Sequence, residues 1–541
     1  MYDAASRVYR LTLSTAGALL AATALALAYA ALQRRRDHRC IRPDEELEEI
    51  TESGVPHDTS DDAAELEDLA DVVETRSPWG TASVMKARRL EGAAGVVQYD
   101  SREEGCDNLQ PGRQSLFVKT FGCAHNSSDS EFMMGLLQDY GYTFSEKLED
   151  ADACLINSCT VKGPSQDSAV NITKRAQAAG KPVVLAGCVP TADAGLVKTL
   201  DGVSMLSVTQ LDRVVEVVEE ALKGHVVQLL GTKRVLPSLD LPKVRRNRLV
   251  EIIPINAGCL GNCSYCKTKH ARGKLSSYSE HAIVGRALQA AGEGVSEVWL
   301  TSEDTGAYGI DLGTDIARLL RSVADALPEG VMMKLGMTNP PYMLSHMAEV
   351  GEVLQRPNVF STVHIPVQSG SDAVLKSMVR EYSVADFRRL VDGLRSVVPD
   401  LHVATDIICG FPAESEKDHE ETLALLRHYS FPVLNISQFY PRPGTPAARM
   451  KKLQGNVVKR RSGEVTRLFE SYETFSTLTN LEKRVWFVET DLKRQQTVGH
   501  TKEYAKVVVP RDDALLGRNA MVRIGATTKW HVEAQIIGDV R

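Results

Sequence analysis

The chain has 541 residues, 43% of them hydrophobic and 25% charged, with a net charge of −7 and ten cysteines. That length allows three or four domains, each with its own core, and the composition is that of an ordinary soluble protein. Ten cysteines in so long a chain are too sparse for a disulfide scaffold, which excludes the small secreted class.

In chain order, the first feature is Leu11–Leu32, "LTLSTAGALLAATALALAYAAL", which holds no charge. As a helix it is about 33 Å long, enough for a bilayer core of roughly 30 Å. Arg7 and Arg10 precede it; Arg34, Arg35, Arg36 and Arg39 follow it. The heavier positive flank comes after the span, so residues 1–36 read as a membrane anchor with the body in the cytosol. A signal peptide cleaved near Ala28-Tyr29-Ala30 and a mitochondrial presequence are the alternatives. Residues 37–114 follow as an acidic linker. Between Ile41 and Thr75, fourteen acids face one basic residue, Arg42. That stretch has too much charge and too little periodic pattern to fold alone, and it reads as disordered. The rest of the chain is mildly basic, which suits a polyanionic partner.

From Ser115 to 235 the texture changes. "SLFVKTF", "ACLINS", "PVVLAG" and "GVSMLSV" are short apolar runs, separated by helix-like stretches at Ser128–Tyr140, Ser165–Ala179 and Gln210–Lys223. Strand, helix, strand, helix predicts an α/β domain with a parallel, flavodoxin-like sheet. "LPSLDLPKVRRNR" (Leu236–Arg248) contains two prolines and marks a boundary. Residues 249–475 alternate again, with strands predicted at Val250–Ile255, Glu297–Thr301, Val331–Leu335, Val359–His364, His402–Ile407 and Val433–Ser437. Six strands suit an incomplete (β/α) barrel better than a closed eightfold one. Residues 480–541 carry closely spaced alternating runs and predict a small all-β module.

The chemistry is carried by cysteines. "CLGNCSYC" places Cys259, Cys263 and Cys266 in one loop after the strand Val250–Ile255, and reactive loops of such barrels sit at the carboxyl ends of strands. Iron–sulfur clusters usually take four cysteines. Three thiolates would bind three irons of a cubane and leave the fourth iron open to a substrate. Zinc is the alternative, but no second pair follows Cys266 and His270 would be an irregular fourth ligand. Cys123, Cys159 and Cys188 each follow a predicted apolar strand, and the carboxyl ends of adjacent parallel strands converge on one crevice. They read as a second thiolate set, or as three unrelated buried cysteines. Cys40, Cys106, Cys154 and Cys409 read as packing or linker residues.

The Cys-x3-Cys-x2-Cys spacing, with Tyr265 before the third cysteine, resembles the radical S-adenosylmethionine (SAM) superfamily. In that family the methionine part of SAM chelates the open iron. With both sets in view, the chain from about Gln114 to Ile537 resembles the methylthiotransferases, which join an N-terminal cluster domain, a radical SAM barrel and a C-terminal TRAM barrel. "KTFGCAHNSSDSEFM", "GCLGNCSYCKTKHARGKLSSY" and "HIPVQSGSDAVL" resemble the eukaryotic/archaeal branch. That branch acts on N6-threonylcarbamoyladenosine beside the tRNA anticodon.

The resemblance implies two 4Fe-4S clusters, one on Cys259, Cys263 and Cys266 as the catalytic set and one on Cys123, Cys159 and Cys188. It also implies SAM, a tRNA substrate and an external electron donor. The first cluster splits SAM to a radical that takes hydrogen from carbon 2 of the adenine; the second presents sulfur, and a further SAM supplies methyl. The alternatives are a methylthiotransferase acting on isopentenyladenosine tRNA or on a ribosomal protein, a non-enzymatic iron–sulfur carrier, and a zinc-structured RNA-binding module. A monomer is expected, on the endoplasmic reticulum or, alternatively, in mitochondria. Animal members of the branch resemble proteins anchored at the C-terminus, whereas the apolar segment here is N-terminal.

SAM contacts are expected at strand ends. "TSEDTG" offers Ser302, Glu303 and Asp304, with Glu303 chosen for the ammonium; the alternative is a solvated loop acid. "HIPVQSGS" offers His364, Gln368 and Ser369 near the ribose and sulfonium, unless His364 is a satisfied buried histidine. Asp406 sits at another strand end, beside a Gly410 turn that shapes the adenine pocket or is a plain turn. Tyr265 completes the set. The basic runs "KVRRNR", "KTKHARGK" and Lys459–Arg461 are candidates for phosphate contact, or solvated faces, and Arg272 for a substrate contact.

Overall fold

The computed structural model describes residues 112–161, 163–231 and 236–541. The expected anchor at 11–32, the acidic linker up to residue 111, Cys40 and Cys106 lie outside the described residues. Among the described residues no helix is long and apolar enough to cross a membrane.

The first domain is a six-stranded parallel sheet: β1 (Ser115–Thr120), β2 (Thr143–Ser145), β3 (Ala153–Ser158), β4 (Val183–Gly187), β5 (Ser204–Ser207) and β6 (Gln228–Leu229). Its order is β2-β1-β3-β4-β5-β6. This is the flavodoxin-like winding, whose switch point lies between β1 and β3. Strands β3 and β4 are central and buried at every position, so they read as unbroken apolar runs. Strands β2 and β6 are edges of three and two residues, too short to carry a periodic signal.

The first helix spans Ala124–Tyr140 and starts four residues before the predicted Ser128. His125 to Glu131 are polar yet all buried. Its amino half lies against the next domain, where Ser128 Oγ donates to the Ile252 carbonyl at 3.0 Å. Polar residues on every side hide a helix from any apolar-stripe reading.

The middle domain carries β7 (Val250–Pro254), β8 (Glu297–Thr301), β9 (Met332–Leu335), β10 (Thr362–His364), β11 (His402–Cys409) and β12 (Val433–Gln438). They form two parallel sheets, β9-β8-β7 and β10-β11-β12, joined by single bridges at Met333–Val359 and Met337–His364. Strands β7 and β12 remain as outer edges, so the barrel is incomplete, and the helix Ala124–Tyr140 packs beside β7.

The C-terminal strands β13 (Glu482–Asp491), β14 (Gln496–Thr501), β15 (Lys506–Pro510), β16 (Asn519–Thr527) and β17 (Val532–Gly538) close a small barrel. It docks on the amino ends of the middle strands. His500 Nδ1 stands 2.9 Å from Glu297 Oε1, and Lys334 lies over the rings of Trp299 and Tyr504.

Of the run "KVRRNR", expected on phosphate or in solvent, Lys243 and Arg245 turn inward while Arg246 and Arg248 stay exposed. Buried Lys243 Nζ lies 3.0 Å from both Glu131 Oε2 and Glu251 Oε1, while Arg245 and Arg286 also pair with Glu251. Arg461 is likewise buried, on Glu414 at 2.6 Å.

Burial alone would raise the Glu251 carboxyl, but Lys243, Arg286 and Arg245 overcome it and hold the group at about 2. A carboxyl held below its ordinary 4.5 contributes stability above that pH, and the contribution is lost as pH falls toward 2. Glu251→Gln leaves three cations short of a partner and is expected to cost about 3–5 kcal/mol at pH 7. Urea unfolding measures it, and a loss below about 1 kcal/mol, the level of a surface pair, contradicts the buried network.

Candidate active site

Strand β7 ends at Pro254, and Asn256–Ala257 pairs antiparallel with Ser276–Ser277, which pinches off the loop between them. Gly258 has φ +78°, and a Cβ there would lie 2.2 Å from the Lys274 carbonyl oxygen, so the turn demands glycine. Cys259 N–H donates to Gly273 O at 3.3 Å, and Cys266 N–H donates to Cys263 O at 3.1 Å. A Cβ on Gly261 would stand 3.7 Å from both the Cys259 and the Cys263 sulfur. Burial pushes the Cys259 thiol up to about 12, with Asp304 adding to it. Burial, then Cys263, raises Cys266. The three thiols are thus within electrostatic reach of one another around a glycine cradle. That fits a cluster bound one iron per thiolate. Among the described residues no three His, Cys, Asp or Glu side chains close on a point that would hold a single metal ion.

A polar chain backs this loop. Arg380 Nη1 donates to Cys263 Sγ at 3.0 Å and Nη2 to Asn339 Oδ1. Asn339 donates its backbone N–H and its Nδ2 to the two Asp304 oxygens at 3.0 and 2.8 Å. Burial pushes the Asp304 carboxyl up to about 6 despite those donors.

The second thiol set lies at the switch point of the first sheet. Cys123 follows β1, Cys159 follows β3, and Cys188 follows β4; Cys123 is exposed and the other two are buried. Gly122 has φ +102°, and a Cβ there would strike Cys159 Sγ at 2.6 Å, so this close approach also needs glycine. Asn126 Nδ2 donates to Phe121 O and Ser158 O at 2.8 and 3.1 Å, and its Oδ1 lies 3.5 Å from Cys188 Sγ. Burial pushes Cys188 up to about 12, against the pull of Arg272.

The two sets meet at a seam. The short helix Cys188–Ala192 packs on Thr268–Arg272 through Cys188, Ala192 and Ala271. Arg272 Nη2 donates to Asn126 Oδ1 at 2.7 Å and Asp129 Oδ2 at 2.6 Å. Its Nε lies 2.9 Å from Glu303 Oε1, and His125 Nδ1 lies 2.8 Å from the same oxygen.

The expected SAM contacts divide. Glu303 is committed to Arg272 and His125; burial alone would raise its carboxyl, but these two partners hold it down. Asp304, one residue on, faces the thiol loop instead. Ser302 accepts the Asp304 N–H at 3.0 Å. His364 Nε2 lies 2.6 Å from Asp406 Oδ1, which also takes Asn435 Nδ2 at 2.9 Å. Gln368 has φ +68° and is tied by its backbone to Asp406 and Ile408. His364, Gln368 and Asp406 therefore form one patch. Tyr265 packs edge-on against Phe411 at 6.3 Å. Of "KTKHARGK", Lys267 and Arg272 point inward and Lys274 outward. Sequence reasoning missed Arg380 and Asn339, which lie in stretches without a motif signal. Asn126 stood inside the quoted "TFGCAHN" without being singled out.

The sequence matches two family models: the uncharacterized protein family UPF0004 over residues 115–207 and the radical SAM superfamily over residues 253–426. The threonylcarbamoyladenosine tRNA methylthiotransferase of Xenopus laevis is 46% identical over 490 residues, covering 88% of this chain and 87% of the relative. That of Drosophila melanogaster is 51% identical over 444 residues, covering 80% of each. A probable threonylcarbamoyladenosine tRNA methylthiotransferase of Pyrococcus abyssi is 34% identical over 430 residues, covering 79% of this chain and 99% of the relative.

Gly258→Ala meets both a left-handed backbone and a 2.2 Å clash. It is expected to cut the iron bound after anaerobic reconstitution several-fold. Gly285→Ala, on an open helix face, should load as the unaltered protein does. Equal iron in both variants contradicts the role given to the Gly258 turn.

Proposed function

We propose that this chain, which belongs to the threonylcarbamoyladenosine tRNA methylthiotransferase family, adds a methylthio group to carbon 2 of N6-threonylcarbamoyladenosine beside the anticodon of a tRNA. The observation that carries this reading is the packing of the helix opened by Cys188 against the helix that follows Cys266, which joins the neighbourhoods of the two thiol sets. Aromatic carbon–hydrogen bonds are too weakly acidic for side-chain bases near neutral pH, so a cofactor must carry that step.

Cys259, Cys263 and Cys266 would hold one 4Fe-4S cluster, and Cys123, Cys159 and Cys188 a second. When bound, the first supplies the electron that splits SAM, and the second presents sulfur. The protein binds and orients. Asp304, fixed by Asn339 and Ser302, is placed to take the SAM ammonium, the role the sequence suggested for Glu303. His364, Gln368 and Asp406 line the opposite strand ends for the rest of that molecule. Arg380 donates to the Cys263 sulfur and keeps the loop closed. In the same reading residues 11–32 anchor the chain on the endoplasmic reticulum with its body in the cytosol, the alternative being a presequence and a mitochondrial location. An external donor supplies electrons to a monomer.

Two measurements test this. Cys263→Ala is expected to abolish release of 5′-deoxyadenosine from SAM. Cys159→Ala is expected to keep that release and lose the methylthio product in tRNA nucleoside mass spectrometry. Substantial 5′-deoxyadenosine from the first variant, or product from the second, sinks the assignment. SAM affinity should rise as pH passes upward through about 6, where Asp304 ionises. Asp304→Asn should bind weakly and without that pH step.

A further inference from the structure

We infer that Arg442 is a positioning residue shared by the two thiol sites, supplying one buried positive charge that clusters on both sets face. The inference rests on the two-cluster reading above.

Arg442 lies in "YPRPGTPA", the segment after β12. Prolines on both sides restrict its backbone, and Thr445 closes the turn on the Arg442 carbonyl with its N–H at 3.1 Å and its hydroxyl at 2.8 Å. From this turn Arg442 Nη2 donates to the Val161 carbonyl, and Val161 N–H donates to Cys159 Sγ at 3.3 Å. At the other end Ala447 N–H donates to Ser264 O at 2.9 Å, between Cys263 and Cys266. One segment thus ties the turn after Cys159 to the Cys259–Cys266 loop.

Arg442 is 8% exposed, and its Nη1 is buried without a hydrogen-bond partner. Cys159, Cys266, Asp167 and Tyr440 lie within its electrostatic reach, as does the buried cation Lys267. Asp167 is solvent-exposed. Arg272, the other arginine of the seam, is balanced by Asp129 and Glu303 at 2.6 and 2.9 Å; Arg442 has no such carboxylate among the described residues. A buried cation without an anion is expensive. Three thiolates carrying a cluster bring net negative charge to each site, so Arg442 is balanced when both sites are loaded.

Two readouts decide. A nearby positive charge favours the reduced cluster, and cluster potentials follow local charge and hydrogen bonds to sulfur. In potentiometric spin-resonance titrations of the reconstituted full chain, Arg442→Gln should move both midpoint potentials negative, and Arg442→Lys should restore much of the shift. In the iron-free chain the same Arg442→Gln removes an uncompensated charge and should raise the melting temperature, whereas a merely structural Arg442 would give a lower one. Unmoved potentials, a shift at one cluster alone, or a lower or unchanged melting temperature overturns the inference. Iron analysis separates the two levels of failure: a parent protein that loads only one cluster ends the two-cluster reading and this inference with it. Two loaded clusters with unmoved potentials end the inference alone.

Discussion

The helix opened by Cys188 rests on the helix that follows Cys266, and small residues make the contact: Cys188, Ala192 and Ala271. Small side chains let two backbones approach closely, and here they bring the mouths of two separate α/β folds together. Much of the surrounding architecture keeps that contact in place. The flavodoxin-like order puts Cys123 and Cys159 on either side of a switch point. The incomplete barrel leaves β7 as an outer edge beside the helix Ala124–Tyr140.

Apolar and charged contacts both join the domains, since one buried cluster runs from Phe132 and Leu137 of the first into Ile253 and Ile283 of the second. Glu131, Lys243, Glu251, Arg245 and Arg286 form one buried network behind the seam, and Asp129, Arg272, Glu303 and His125 form another within it. Buried ion pairs are poor sources of net stability, because desolvation offsets most of their attraction, yet misplacing any one of them is costly. A seam built this way tolerates little sliding. Glycine adds to the constraint at Gly135, where a Cβ would lie 2.1 Å from the Pro242 carbonyl oxygen of the linker that carries Lys243.

Legibility in the sequence followed burial. Strands β3, β4 and β8 were read within a residue because both faces are covered and their apolar runs are unbroken. The cysteines at strand ends were legible for a geometric reason: parallel strands deliver their carboxyl ends to one side. The helix start at Ala124 was not, since its first turns bury polar groups in the seam. Glu303 and Asp304 are neighbours just after β8, yet Glu303 goes to Arg272 and His125 and Asp304 to Asn339, a division that sequence order alone does not reveal. Arg380 and Arg442 were invisible for another reason. They act on partners 117 and 281 positions away in the chain, and no local pattern encodes such a meeting.

The C-terminal barrel meets the opposite end of the middle domain. His500 reaches Glu297 at the start of β8, and Tyr504 stacks on His500 at 4.0 Å and meets Phe360 edge-on. Lys502 is half-buried there, donating to Leu354 O and Ser361 Oγ at 2.8 Å each. Burial pulls its ammonium down to about 8 although Glu503 opposes the shift. The barrel is thus joined to the middle domain by an ion pair, an aromatic stack and lysine hydrogen bonds. The thiol loops lie at the other ends of the same strands, and a five-residue strand is about 17 Å long. A polymer touching both the C-terminal barrel and the seam therefore has to span at least the length of those strands.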